Sequence, residues 1–126
     1  MKQTEHEHQK FVFQILALNE AKFPFLRFIY AVPNGGQRHP AVAAKLKAEG
    51  VKRGVSDICI PFSCQHNFRD PSGSCCPGAY IEMKAPKGKV SPEQKEFLAF
   101  VKEQGYFTAV AYSCDEALDG IESYCG

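Results

Sequence analysis

The chain has 126 residues, is 44% hydrophobic and carries a formal net charge of +1. That length suits one domain, expected over 1–126, with a real core but no room for two. The composition excludes a disordered polyelectrolyte, and with no apolar run of about 18 residues a spanning helix is excluded too.

A first helix is expected from Glu5 to about Lys22. Thr4 is a good N-cap, and Glu7 completes a capping box. Phe11, Val12, Ile15, Leu16 and Leu18 supply its apolar stripe. Pro24 follows its end. Phe25 to Val32 reads as a strand, closed by the turn residues Pro33-Asn34-Gly35-Gly36. A second helix begins at Pro40, runs through Lys47 and stops at Gly50. Val55 to Phe62 reads as the second strand, 63–78 as a polar loop or strand extension, and Ala79 to Ala85 as the third strand. Ser91-Pro92-Glu93-Gln94 is another capping box with proline at the first helical position. Its helix carries Phe97, Leu98 and Val101 and ends at Gly105. Tyr106 to Tyr112 is the fourth strand, and Ser113 and Glu116 open a last short helix. The order α-β-α-β-β-α-β-α predicts an α/β fold, a mixed four-stranded sheet flanked by helices. The second and third strands should form an antiparallel hairpin, and the third-to-fourth step a right-handed crossover.

The N-terminus, Met-Lys-Gln-Thr-Glu-His-Glu-His, is polar and leads into no apolar signal core. The six cysteines are therefore read as reduced thiols of a cytoplasmic protein, with Cys59 a small core residue. Cys64, His66, Cys75 and Cys76 offer zinc-type ligands at a spacing that matches no common finger.

Chemistry concentrates on two strands. Asp57 opens one, and Glu82 and Lys84 lie two apart on the next, sharing a face while Ile81 and Met83 take the other. If the strands pair, Asp57 lies beside Glu82. Two close carboxylates repel unless a cation sits between them, and hard oxygen ligands beside a lysine suit Mg²⁺ or Mn²⁺ and phosphate chemistry. Asp57 and Glu82 would bind the metal, with the carbonyl of Met83 as a backbone ligand, and Lys84 would orient water or neutralise charge. The plainer alternatives are a turn aspartate after Gly54 and an exposed Glu82–Lys84 pair on an edge strand. Glu5, one turn before Gln9, either reaches over this site or compensates the helix dipole. Gln94 either returns to the Ser91 N–H or faces the site at a helix N-terminus.

Basic residues are unevenly spread. Arg38 to Arg53 holds five (Arg38, Lys45, Lys47, Lys52, Arg53) against one acid, Glu49, and Lys84 to Lys89 holds three lysines and no acid. Such patches can hold a phosphate backbone, or be merely solvated. Asn34 and Gly35 can bring backbone amides close to a phosphate, which glycine permits.

These segments together resemble the VRR-NUC nucleases (virus-type replication-repair nuclease domains) of the PD-(D/E)xK superfamily. The resemblance rests on Thr4-Glu5 with Gln9, Val32-Pro33-Asn34-Gly35-Gly36, Lys45 through Asp57, Tyr80-Ile81-Glu82-Met83-Lys84-Ala85 and Ser91-Pro92-Glu93-Gln94. Ser56 stands where that family usually has proline. The resemblance implies a restriction-endonuclease-like core and Mg²⁺- or Mn²⁺-dependent phosphodiester hydrolysis. Its centre would be Asp57, Glu82 and Lys84, with Gln94 and Glu5 assisting and Lys52, Arg53, Lys87, Lys89, Asn34 and Gly35 on DNA. It further implies a stand-alone, phage-like enzyme of the bacterial or infected-cell cytoplasm, a homodimer acting on branched DNA such as four-way (Holliday) junctions. The alternatives from other classes are a catalytically idle DNA-binding module and a zinc-stabilised interaction domain around the Cys64–Cys76 loop.

Overall fold

The computed structural model describes residues 4–33, 39–64 and 76–126. The Pro33–Gly36 turn beyond Pro33, with Asn34 and Gly35, lies outside them, as do Arg38, His66 and Cys75. Among the described residues four α-helices and four strands follow in chain order: α1 (Glu5–Asn19), β1 (Tyr30–Ala31), α2 (Pro40–Ala48), β2 (Ile58–Ile60), β3 (Ala79–Met83), α3 (Pro92–Glu103), β4 (Phe107–Ala111) and α4 (Cys114–Cys125). This is the expected order. The sheet runs β1-β2-β3-β4. β2 and β3 pair antiparallel and β3 and β4 parallel, as the connections require.

Both capping boxes form. The Thr4 hydroxyl accepts from the Glu7 N–H while Glu7 accepts from the Thr4 N–H, and Ser91 and Gln94 do the same. Ser113 caps α4 by accepting the Glu116 N–H. That helix is longer than the short one expected, with 12 residues.

Three expectations are corrected. The segment Phe25 to Val32 is mostly not a strand: Pro24–Phe28 is a 3₁₀ turn, and only Tyr30 and Ala31 pair with β2. Proline at the start fixes a helical φ, and bonds from Leu26 N–H to Phe23 and from Ile29 N–H to Leu26 close the turn. The strands predicted as Val55–Phe62 and Ala79–Ala85 are regular only over Ile58–Ile60 and Ala79–Met83, with single backbone bonds beyond them at Asp57 and Lys84. The first helix ends at Asn19, whose side-chain amide donates back to the Ile15 carbonyl.

The apolar stripe of α1 is also rotated from expectation. Val12 and Leu16 are buried and Phe13 packs on the core, whereas Phe11, Ile15 and Leu18 face outward. The helix is apolar on most sides, and its packing on α4 and the 3₁₀ turn selects the face that is buried. The core lies on the Ile58, Ile60, Ile81 and Met83 side of the sheet, closed by Ala117, Ile121 and Tyr124 of α4. Tyr124 is fully buried, and its hydroxyl sits 2.7 Å from the Phe62 carbonyl and 3.1 Å from that of Cys76, joining the two ends of the β2–β3 loop.

The opposite face of β2 and β3 is where Asp57 and Glu82 project. Gly54 sets how that face meets α3. Its φ is +92°, and a Cβ there would lie 2.7 Å from the Glu93 carbonyl oxygen. Only glycine allows this approach between the turn before Asp57 and the start of α3. Gly54→Ala should destabilise the protein by about 1–3 kcal/mol, read from denaturant midpoints.

Candidate active site

The β2–β3 register pairs Ile58 with Ile81. Continued one step, it sets Asp57 opposite Glu82, as the strand alternation predicted. Asp57 is anchored twice. Its carbonyl accepts the Val32 N–H at 2.7 Å, and its Oδ2 accepts the Met83 N–H at 2.7 Å. Its side chain is thereby held over the end of β3.

Glu82 is 1% exposed. Its Oε1 accepts the Gln94 amide at 2.7 Å and lies 3.8 Å from the Lys84 ammonium. Gln94 thus fills both roles the sequence left open. Its Oε1 takes the Ser91 N–H, which fixes the amide plane and aims Nε2 at Glu82. The exposed-pair alternative for Glu82 and Lys84 is set aside by burial, since the Lys84 side chain is itself only 13% exposed.

The second oxygen of Glu82, Oε2, is buried with no partner among the described residues. Burial, followed by the adjacent Asp57 charge, pushes the Glu82 carboxyl up to about 8, against the pull of Lys84. Burial also raises Asp57, opposed by the Met83 N–H, the Glu82 carboxyl and Lys84. The two acids are close enough to share a proton, so the pair titrates as a unit. Near neutral pH it retains a proton that the unfolded chain has released. Stability without metal should therefore fall as pH rises from the ordinary glutamate value, about 4.5, through about 8. Thermal melting across that window in EDTA measures it; a constant melting temperature would contradict the shared proton.

These residues fit a hard divalent cation. An orphaned buried carboxylate oxygen and two adjacent acids that burial raises, Glu82 further by the charge of Asp57, call for positive charge between them. The described residues assemble no group of three or more acidic, histidine or cysteine ligands. Glu5 lies near enough for Asp57's charge, after burial, to raise its carboxyl, yet it does not complete such a group. Two carboxylates with the other positions left to water, a backbone carbonyl and phosphate oxygens is an arrangement Mg²⁺ accepts. Of the zinc set, His66 and Cys75 lie outside the described residues.

The remaining candidates flank this centre in sequence. Lys52 and Arg53 are exposed on the turn before Gly54, and Lys87 and Lys89 are exposed after β3. Gln9 is half-buried one turn beyond Glu5. Sequence reasoning missed three features: the Met83 N–H on Asp57, the Gly54–Glu93 approach, and the full burial of Ser56, whose hydroxyl has no partner among the described residues. Register alone could have suggested the first. Nothing local signals the others.

Comparison with known proteins bears on the family and the fold. A family model described as "VRR-NUC domain" matches residues 5–115. A solved structure named "VRR_NUC domain protein" superimposes with a TM-score of 0.72 at 26% sequence identity, covering 98% of this chain and 89% of the other. No curated protein matches. The mixed sheet with its flanking helices is a restriction-endonuclease-like fold, and the PD-(D/E)xK superfamily follows from the family. With its acids and lysine set on two paired strands and the match running from Glu5 to Asp115, the chain belongs to the VRR-NUC domain family, a nuclease-type family.

Proposed function

We propose that this protein is a Mg²⁺- or Mn²⁺-dependent endonuclease that hydrolyses DNA phosphodiester bonds, preferring branched DNA such as four-way junctions. The observation that carries the reading is the Asp57–Glu82 carboxyl pair with the Lys84 ammonium beside it, in a chain of a nuclease-type family. Asp57 and Glu82 hold the ion, helped by the Met83 carbonyl, with Glu5 positioned toward its waters. When bound there, the ion supplies a water of lowered pKa and positive charge beside the phosphate. Lys84 is a compact, mobile charge that orients the attacking water or neutralises developing negative charge. Gln94 keeps the Glu82 carboxylate aimed. Lys52, Arg53, Lys87 and Lys89, with Asn34 and Gly35, contact phosphates, so selection is by DNA shape rather than base sequence.

Paired cuts in a junction need two such sites, which a twofold dimer supplies. The outward apolar face of α1, where Leu18 is 79% exposed, supports self-association. Leu18→Glu should convert a dimer to a monomer in sedimentation. Cys59, Cys114 and Cys125 carry free thiols, in keeping with a reducing, cytoplasmic compartment, and no described helix is long and apolar enough to cross a membrane.

The test is incubation of purified protein with four-way junction, flap, linear duplex and single-stranded DNA, in Mn²⁺ and in EDTA. Cleavage should require Mn²⁺ and be fastest on the junction. Absence of cleavage on every substrate, or cleavage that persists in EDTA, overturns the proposal.

A further inference from the structure

No residue of α2 is buried; Leu46 is half-covered, and Lys45 and Lys47 are exposed. A helix of nine residues that contributes nothing buried to the core gains little from packing, which is where most helical stability in proteins originates. Its stop is nonetheless tightly specified. Gly50 has a φ of +103°, its N–H bonds the Lys47 carbonyl, and the Val51 N–H bonds the Leu46 carbonyl. This double bond pattern is a Schellman stop. It fixes the direction in which Lys52 and Arg53 leave the helix. Gly54 then seats the same segment on the Glu93 backbone, and Asp57 follows three residues later. The helix is thus a defined arm tied to the candidate active site.

The arm is cationic and uncompensated. Lys45, Lys47, Lys52 and Arg53 are exposed, and none forms an ion pair among the described residues, although Glu49 is one turn from Lys45. Lys45 and Lys47 are two residues apart and leave the helix on opposite sides, roughly 200° around its axis. On one arc between them the surface is small and apolar, made by Ala41, Ala44 and Ala48.

We infer that α2 is a DNA-docking element, lying along a groove of a duplex arm of the substrate, with Lys45 and Lys47 reaching phosphates on its two sides. The inference rests on the nuclease reading above and extends it from the catalytic centre to the arm that carries the substrate. Charge complementarity selects the occupant. A polyanion neutralises four cations at once and releases counterions in doing so. A twofold contact between copies of the chain through this face would set lysines against lysines.

The experiment uses the full chain, in EDTA, with a fluorescein-labelled DNA duplex and a labelled four-way junction, titrated between about 50 and 200 mM salt. Lys45→Ala and Lys47→Ala are compared singly and together with wild type. The control is Lys102→Ala, which removes the same charge from the exposed end of α3. Each α2 substitution should weaken binding to both probes by about tenfold near 100 mM salt and lower the logarithmic salt slope by about one, the effect of one lost phosphate contact. Lys102→Ala should change neither. Unchanged affinity and slope in the double variant, while wild type binds and cuts DNA in Mn²⁺, overturns this inference and leaves the nuclease reading standing. A loss of self-association in the α2 variants, with DNA affinity retained, also overturns it by making α2 a contact between copies. Wild-type protein that neither binds nor cuts DNA sinks the nuclease reading itself.

Discussion

Replacing Lys84 with alanine is expected to reduce DNA cleavage by about 10²–10³-fold or more, while folding and DNA binding in EDTA stay close to wild type. The stability argument is local. Lys84 sits 3.8 Å from Glu82 Oε1, a long contact for an ion pair. Near neutral pH the Asp57–Glu82 pair already holds a proton, which weakens the attraction further. Losing the ammonium pushes the Glu82 carboxyl higher still, so the pair keeps its proton more firmly and the apo fold is little disturbed. The catalytic argument runs the other way. Lys84 is the lysine of this cluster available to negative charge that develops on the phosphate, and a largely covered, preorganised charge is worth far more there than in water. Wild-type cleavage by Lys84→Ala would remove lysine from the mechanism.

Glu82→Gln should move activity and stability in opposite directions. The amide oxygen can still accept from Gln94, and the new NH₂ group replaces the orphaned Oε2 beside Asp57. Without metal, the variant should be more stable than wild type at pH 9 by about 1–3 kcal/mol, because a buried unpaired acceptor is replaced by a donor facing an acid. The decline in stability between about 4.5 and 8 should largely disappear. Mn²⁺-dependent cleavage should fall below detection, since one of the two carboxylates is gone. A group kept for packing would lose stability when altered; a group kept for function is retained at a cost to the fold. Melting curves at pH 6 and pH 9, paired with cleavage assays, read both signs. A Glu82→Gln protein that is destabilised at high pH would mean that the carboxylate serves the fold.

The centre of the site was legible because strand alternation and hairpin register are strict rules. Once Ile81 and Met83 are assigned to the core, Glu82 and Lys84 must share the other face, and the antiparallel register carries Asp57 opposite Glu82. The capping boxes were legible for a similar reason, being short-range and chemically specific. Other features depend on contacts distant in sequence. The outward turn of Phe11, Ile15 and Leu18 was hidden because α1 is apolar on most sides from Phe11 onward, and α4 chooses among the sides. Phe25 to Phe28 of the 3₁₀ turn read as strand because their aromatic and aliphatic run has β propensity, which the i→i+3 bonds after Pro24 override. The meeting of Gly54 with Glu93 joins residues almost forty positions apart, and glycine in a turn carries no label for what approaches it.

The most direct measurement is calorimetric titration of Mn²⁺ into wild-type protein and Asp57→Asn, each in two buffers of different ionisation enthalpy near pH 7. Asparagine can still accept the Met83 N–H, so the fold is spared while one acid is lost. Wild type should bind Mn²⁺ and release roughly one proton as it does so, the proton held between Asp57 and Glu82, and Asp57→Asn should lose that binding. Failure of wild type to bind Mn²⁺, or equal binding by Asp57→Asn, would contradict a divalent-cation site built on this carboxyl pair.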